Sequence, residues 1–251
     1  MELKETWAIE VEDLSFQHPE QSRMCINHVN LKVLSGERFG LFGPNGAGKT
    51  TLMNLMTGVL SFNKGHIKLL GRDLQQEGKA RNSLFGFVPQ DLSFYQELSP
   101  VENLAFFGAW AGMKNAEIKS RTDELLDVLG LGDVRNKQVG RFSGGMKRRV
   151  NLAIGVIHNP PIIFLDEPTV GVDVQSRHAI IGYLKELNRN GTTLFYTSHQ
   201  LGEAEQLCER IAMIDKGEII LTDQIDNLLV QHKRGLEDIF LNLTGKAYRD
   251  W

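Results

Sequence analysis

Residues 39–51 read Phe-Gly-Leu-Phe-Gly-Pro-Asn-Gly-Ala-Gly-Lys-Thr-Thr, and no other stretch narrows the fold as far. Gly43, Gly46, Gly48, Lys49 and Thr50 fill the spacing G-x-x-x-x-G-K-[ST]. Glycines let the backbone turn tightly enough for successive N–H groups to face one polyphosphate. Lys49 supplies a point charge at the β- and γ-phosphates, and the Thr50 hydroxyl is a hard oxygen ligand for magnesium. The stretch from Gly43 through Pro44, Asn45, Gly46, Ala47, Gly48 and Lys49 to Thr50 and Thr51 is therefore the candidate phosphate cradle. A short apolar strand is expected over 38–42. The helix expected to begin near Lys49 and run to Met56 turns its positive end to the same anion.

Composition bounds what surrounds this loop. At 251 residues, 41% hydrophobic and 24% charged, the chain has the mix of one large globular domain or two packed lobes. A net charge of −3 gives no global attraction to nucleic acid or anionic lipid, so no nucleic-acid partner is expected. Cys25 and Cys208 form neither a disulfide framework nor a metal spacing, and read as reduced thiols. Residues 1–5 lack an apolar signal core, and no run approaches the ~18 apolar residues of a spanning helix. Action at a membrane is expected to need a partner.

Residues 7–16 alternate apolar and polar side chains, which predicts an edge-type antiparallel strand. A second strand is expected over 24–34, and a hairpin-like piece over 65–71. Leu84 to Gln90 reads as a strand stopped by Pro89. The character then changes. Ser99, Pro100 and Glu102 spell a capped helix start, and Ile118, Thr122, Leu125 and Leu129 repeat at helical spacing up to Gly130. A further helix is expected over 141–157, opened by Ser143-Gly144-Gly145. Ile162 to Leu165 is a wholly apolar run of the kind a buried parallel strand shows. Expected next are a helix over 174–189, a strand over 192–196, a helix over 201–209, strands over 210–215 and 218–222 around Lys216-Gly217, and helix over 224–245. The fold class expected is α/β: a P-loop NTPase core with a parallel sheet, an N-terminal antiparallel patch and an inserted small helical subdomain. The core takes 1–90 and 158–251, the subdomain 91–157, within one domain over 1–251.

Asp166-Glu167 ends the apolar run, where ligands of open α/β sheets bind. The Asp can hold magnesium, and the Glu can orient or deprotonate an attacking water. His199 ends another strand pattern; its ring can contact the γ-phosphate or the water, or be a core-edge histidine. Gln90 after Pro89 can ligate magnesium or position water, or lie on the surface. Ser143-Gly144-Gly145 is a capped helix start and a possible anion site.

Taken together these motifs resemble the ATP-binding cassette family, specifically the ATPase subunit of a transporter. Gly43 to Thr51 matches its Walker A loop, Gln90 its Q-loop, Phe142 to Met146 its signature, Ile162 to Glu167 its Walker B strand with the catalytic glutamate, Val170 to Asp173 its D-loop and His199 its H-loop. The resemblance covers nearly the whole chain. It implies ATP and magnesium as ligands, with Thr50, Gln90 and Asp166 at the metal. It also implies a head-to-tail pair, homodimeric or with a related ATPase subunit, in which Ser143, Gly144, Gly145 and Asp173 meet the partner's nucleotide. Integral-membrane permease subunits would then hold the chain on the cytoplasmic face of the cell membrane. Three positions differ from the family pattern: His18 stands where an aromatic usually stacks on adenine, Met146 replaces Gln, and Phe142 replaces Leu. The run Ser-Gly-Gly-Met-Lys-Arg-Arg and residues 235–245 resemble the drug-, antibiotic- and lipid-exporting branch, whose permeases are separate chains. A regulatory ATP-operated clamp uncoupled from transport is the alternative. Clamp members resemble tandem cassettes or carry a long insertion, whereas the insert here is short. A GTPase would want Asn-Lys-x-Asp, and Asn136-Lys137-Gln138-Val139 lacks the acid.

Overall fold

The computed structural model describes residues 6–19, 22–232 and 235–244. The elements begin with β1 (Trp7–Phe16), β2 (Ile26–Leu34), β3 (Arg38–Phe42), α1 (Lys49–Met56), β4 (Lys64–Leu69) and β5 (Arg72–Asp73). There follow β6 (Phe85–Val88), α2 (Pro100–Trp110), α3 (Asn115–Val128), α4 (Gly144–Val156), β7 (Ile162–Asp166) and α5 (Val174–Arg189). The chain continues through β8 (Thr193–Ser198), α6 (Leu201–Leu207), β9 (Arg210–Asp215), β10 (Glu218–Gln224), α7 (Ile225–His232) and α8 (Leu236–Thr244). Contacts divide it into two compact units, Met1–Arg81 with Thr193–Trp251, and Asn82–Thr192. Among the described residues no helix is long and apolar enough to cross a membrane.

In the first unit, β1 is not an edge strand. It pairs antiparallel with β2 on one side and β4 on the other, in a sheet ordered β2-β1-β4-β5. Its alternation marks a sheet with one solvated face rather than a free edge. The pattern also breaks where the register shifts between Val11 and Leu14, with Asp13 at φ 48°. A second sheet runs β10-β9-β3-β8, with β3 parallel to both neighbours and β10 antiparallel to β9. Phe39, Leu41 and Phe42 of β3 are fully buried, and Phe39 stacks on Phe195 with centroids 5.7 Å apart. Buried Glu37 receives both arms of Arg210, at 2.6 and 2.9 Å, and the Leu34 N–H at 2.7 Å. That bidentate pair ties the start of β3 to β9. The helix expected over 224–245 is instead α7 and α8; glycine at position 235 disfavours continuation between them.

In the second unit, β6 and β7 pair parallel, and every residue of β7 is buried. Helix α4 lies close on β6 because Gly86 faces Gly155. A Cβ on Gly86 would sit 2.0 Å from the Gly155 carbonyl oxygen. Ser99 and Glu102 cap α2 reciprocally: the Glu102 carboxylate accepts from the Ser99 N–H at 2.8 Å, and the Ser99 hydroxyl accepts from the Glu102 N–H at 3.3 Å. Ile118, Thr122, Leu125 and Leu129 are buried as their spacing requires.

Candidate active site

The first unit holds the candidate phosphate cradle. Chain leaving β3 turns through Gly43–Ala47 and enters α1 from Gly48, which sits at φ 111°. No side chain fits there, since a Cβ would lie 2.8 Å from the Cys25 carbonyl oxygen. Lys49 is buried, and its ammonium donates to the carbonyls of Gly43 at 2.8 Å and Pro44 at 3.2 Å, drawing the loop into a ring. The ring is braced from outside: the Gly217 N–H donates to the Ala47 carbonyl at 2.8 Å, and the Asn27 N–H donates to the Gly217 carbonyl at 2.9 Å. Helical hydrogen bonding of α1 begins with Leu52 N–H to the Gly48 carbonyl at 2.8 Å, leaving the N–H groups of Lys49, Thr50 and Thr51 outside the helical ladder. The first turn contains no acidic residue, and Asn45, Gly46 and Thr50 are exposed. Amide donors, an ammonium and an exposed hydroxyl are the groups a magnesium-bound polyphosphate takes.

His18 and His199 belong to the same unit. The His18 ring meets Phe16 edge-on, centroids 4.9 Å apart, and is half-buried. His199 follows β8 on a built turn. The Ser198 hydroxyl accepts from the Gln200 N–H at 2.9 Å and donates to the Glu203 carboxylate at 3.4 Å, and that carboxylate also accepts from the Tyr196 hydroxyl.

The second unit carries the acids. Asp166 ends β7 with 1% of its surface exposed, and Glu167 follows at 6%. Glu167 sits at φ 48°. Leu70 and Lys216 share that left-handed geometry in two-residue hairpin turns, whereas Glu167 follows a parallel strand. Strain of this kind persists only where the surroundings impose it, and concentrates at functional positions. Gln90 has an exposed side chain, and its carbonyl accepts from the Arg148 guanidinium. Burial lowers the Arg148 pKa, and the negative charges of Asp91, Glu167 and Asp166 oppose that shift.

The signature and the following acidic loop meet in this unit. Ser143 caps α4 by accepting from the Met146 N–H at 3.3 Å. Gly145 is buried against α5: a Cβ there would lie 2.3 Å from the Ser176 hydroxyl oxygen and 2.9 Å from Asp173 Oδ2. Gly144 is open, its nearest would-be contact being the Gly171 carbonyl oxygen at 3.7 Å. Asp173 caps α5, accepting from the Ser176 N–H at 2.8 Å and its hydroxyl at 2.9 Å. Those bonds hold its carboxyl below the usual carboxylate range. Met146 is half-buried.

The candidate residues thus fall into two sets: cradle, His18 and His199 in the first unit, and Gln90, Asp166, Glu167, Ser143 to Gly145 and Asp173 in the second. Sequence reasoning gave no site role to Gly217, Glu203, Ser176, Arg148 or Asn151. The signal open to it was the i, i+3 spacing of Arg148 and Asn151 on one helix face.

Residues 26–170 match the family model described as ABC transporter. This chain belongs to the ABC transporter family. It is 40% identical over 198 residues to the linearmycin resistance ATP-binding protein of Bacillus subtilis (strain 168), covering 79% of this chain and 64% of that relative. It is 36% identical over 210 residues to the Nod factor export ATP-binding protein I of Rhizobium sp. (strain N33), covering 84% and 69% respectively. The matched part therefore spans 64–69% of the length of these relatives. Among solved structures, a dimeric ATP-binding cassette in a post-hydrolysis state bound to ADP and Pi superposes with a TM-score of 0.78 at 26% identity, covering 86% of this chain and 98% of that one. The α/β architecture is that of an ABC cassette, and the family to which the chain belongs binds ATP.

Proposed function

We propose that this ABC cassette hydrolyses ATP as one of a head-to-tail pair and powers export through separate membrane subunits. The observation that carries the reading is Glu167, a carboxylate buried directly after Asp166 in left-handed backbone at the end of a buried strand. Names of relatives that speak of antibiotic resistance and Nod factor export, and a similar cassette seen as a dimer with ADP and Pi, support it.

In this reading Gly43 to Thr51 hold the phosphates and Lys49 adds its charge at the β- and γ-positions. His18 borders adenine, and His199 faces the γ-phosphate. Thr50, Asp166 and Gln90 carry the hard oxygen atoms that would hold magnesium, which would supply charge neutralisation to the phosphates. Glu167 takes the proton of the attacking water. Ser143, Gly144 and Gly145 donate to the partner's nucleotide, and Asp173 borders the same interface. Because both Asp173 oxygens already serve the α5 cap, its role there is to shape the loop.

The permease docks on the aromatic group near Gln90. Phe106 meets Tyr95 and Phe107 edge-to-face at centroid distances of 5.0 and 5.2 Å, and the Tyr95 and Phe107 rings lie 6.2 Å apart at a shallow 30° tilt. Tyr95, Phe106 and Trp110 remain exposed, Trp110 at 71%. Aromatic anchors of this kind dominate interface cores. Docking would hold the chain at the cytoplasmic face of the cell membrane, and cysteine crosslinks from positions 92–98 to a co-expressed permease test it.

Glu167→Gln is the decisive experiment. Loss of a general base costs about 10²–10⁴-fold in turnover, roughly 3–5 kcal/mol of barrier. ATP binding survives, and ATP accumulates the closed pair by mass action. Turnover and ATP-dependent light scattering are measured together. Wild-type turnover in the variant removes Glu167 from catalysis; an inactive, ATP-bound monomer removes the head-to-tail pair.

A further inference from the structure

Helix α4 does more than present the signature at its start. Arg148 and Asn151 lie on one face of it, about one and two turns past Ser143. The Arg148 guanidinium donates to the Gln90 carbonyl and, at 3.5 Å, to the Pro89 carbonyl. Asn151, 2% exposed, donates through Nδ2 to the Pro89 carbonyl at 3.1 Å and accepts through Oδ1 from the Ser93 N–H at 3.1 Å. The backbone of residues 89–93 is thus gripped at both ends by two neighbouring side chains of one helix. The span between is irregular and mostly exposed, with no regular partner strand for its N–H and C=O groups. The negative charges of Asp91, Glu167 and Asp166 act on the same guanidinium and oppose the lowering of its pKa by burial.

We infer that Arg148 and Asn151 are positioning residues, through which the signature helix clamps the backbone of the Gln90 loop and sets the Gln90 side chain for magnesium. Neither residue touches the reacting atoms. Arg148 fixes the carbonyl of Gln90 itself; Asn151 fixes the residues on either side. The helix therefore moves with the loop as one body, so that a displacement of Ser143 to Gly145 is transmitted to Gln90 of the same chain. The inference rests on Gln90 serving the metal, as proposed above, and its test separates the two claims.

Arg148→Met, Arg148→Lys and Asn151→Ala are compared with Gln90→Ala. In the nucleotide-free protein, backbone hydrogen exchange reads the clamp directly, because the Ser93 N–H is one of its bonds. The expected result is exchange at Ser93 and its neighbours about tenfold faster in Arg148→Met and Asn151→Ala, corresponding to about 1.4 kcal/mol of local opening, with exchange in α4 and β7 unchanged. Arg148→Lys, which keeps one donor but not the fork, falls between, and serves as the readout if Asn151→Ala does not fold. With ATP present, Arg148→Met and Gln90→Ala should both raise the magnesium concentration needed for half-maximal turnover, while Gln90→Ala leaves exchange at Ser93 as in wild type. Unchanged exchange in both Arg148→Met and Asn151→Ala overturns the clamp. Faster exchange with a magnesium requirement that shifts in Gln90→Ala but not in Arg148→Met overturns its positioning role. A requirement that moves in neither variant, with exchange faster, sinks the metal role of Gln90 and leaves the clamp standing.

Discussion

Adjacent glycines of the signature should respond oppositely to a single methyl group. Neither Gly144 nor Gly145 has a positive φ, so alanine is conformationally allowed at both, and helix propensity favours alanine by up to about 1 kcal/mol. At Gly144 the new carbon would meet one carbonyl oxygen at 3.7 Å, an ordinary contact. Gly144→Ala should therefore be neutral or slightly stabilising, within about 0.5 kcal/mol. At Gly145 it would lie 2.3 Å from the Ser176 hydroxyl oxygen and 2.8 Å from Ser176 Cβ. Rotating Ser176 away breaks its 2.9 Å bond to Asp173, worth about 1 kcal/mol. The Cβ cannot rotate away, so backbone must shift as well, at about 1–3 kcal/mol. Net of propensity, Gly145→Ala should destabilise by about 1–3 kcal/mol. At about 2–4 °C per kcal/mol for a chain of this size, a 2 kcal/mol loss lowers Tm by about 4–8 °C. Urea unfolding of both variants supplies the free energies, and Ser176→Gly in the Gly145→Ala background should recover about 1 kcal/mol or more of coupling. A Gly145→Ala protein as stable as Gly144→Ala would refute the packing of α4 on α5 that the argument uses.

Lys49→Ala removes both the loop-closing bonds and the only cation the cradle supplies from its own sequence. ATP affinity by calorimetry should fall roughly 10- to 100-fold, about 1.5–3 kcal/mol, and wild-type affinity would sink the cradle. Burial holds the His158 imidazole below its ordinary 6.5, opposed by its contact with the Phe85 carbonyl. The unfolded chain then binds a proton the folded one refuses. Stability from neutral His158 is complete above 6.5 and is lost as pH falls through 6.5 toward the folded value. Urea midpoints at about pH 7.5 and about pH 5.5 should differ less in His158→Gln than in wild type. Burial pushes the Cys208 thiol far up, so native protein should label at half-buried Cys25 and spare Cys208, with both reacting in urea. Rapid native labelling of Cys208 would contradict its packing.

Local signals carried much of this far. β3, α5 and β9 have the bounds their residue patterns predict, β7 runs one residue past its apolar run to take in Asp166, and the capping box at Ser99 is formed as spelled, because each is decided by neighbours within a turn or a pleat. What β1 pairs with was not legible: alternation reports a solvated face, and the second partner, β4, arrives some fifty residues later. The chemistry of the site followed the same rule. Gly43 to Thr50 and Asp166-Glu167 announce themselves by type and spacing. Their supports do not. Arg148 reaches Gln90 across 58 residues and Asn151 reaches Pro89 across 62, by side-chain bonds to backbone that leave no trace in residue type. The strained φ of Glu167 was equally silent, since glutamate is not a residue that advertises left-handed backbone.

The Lys216-Gly217 turn, described as an outside brace, has a consequence for the newborn chain. The cradle is complete only when Gly217 donates to Ala47 and accepts from Asn27, and a Cβ on Gly217 would strike the Cys25 carbonyl at 2.4 Å. Residues 25–49 therefore wait for a segment made much later. At about 5–20 residues per second, the interval between the cradle's synthesis and that of its brace is on the order of 10–30 s. Through that interval a ribosome-bound chain displays the motif without its brace.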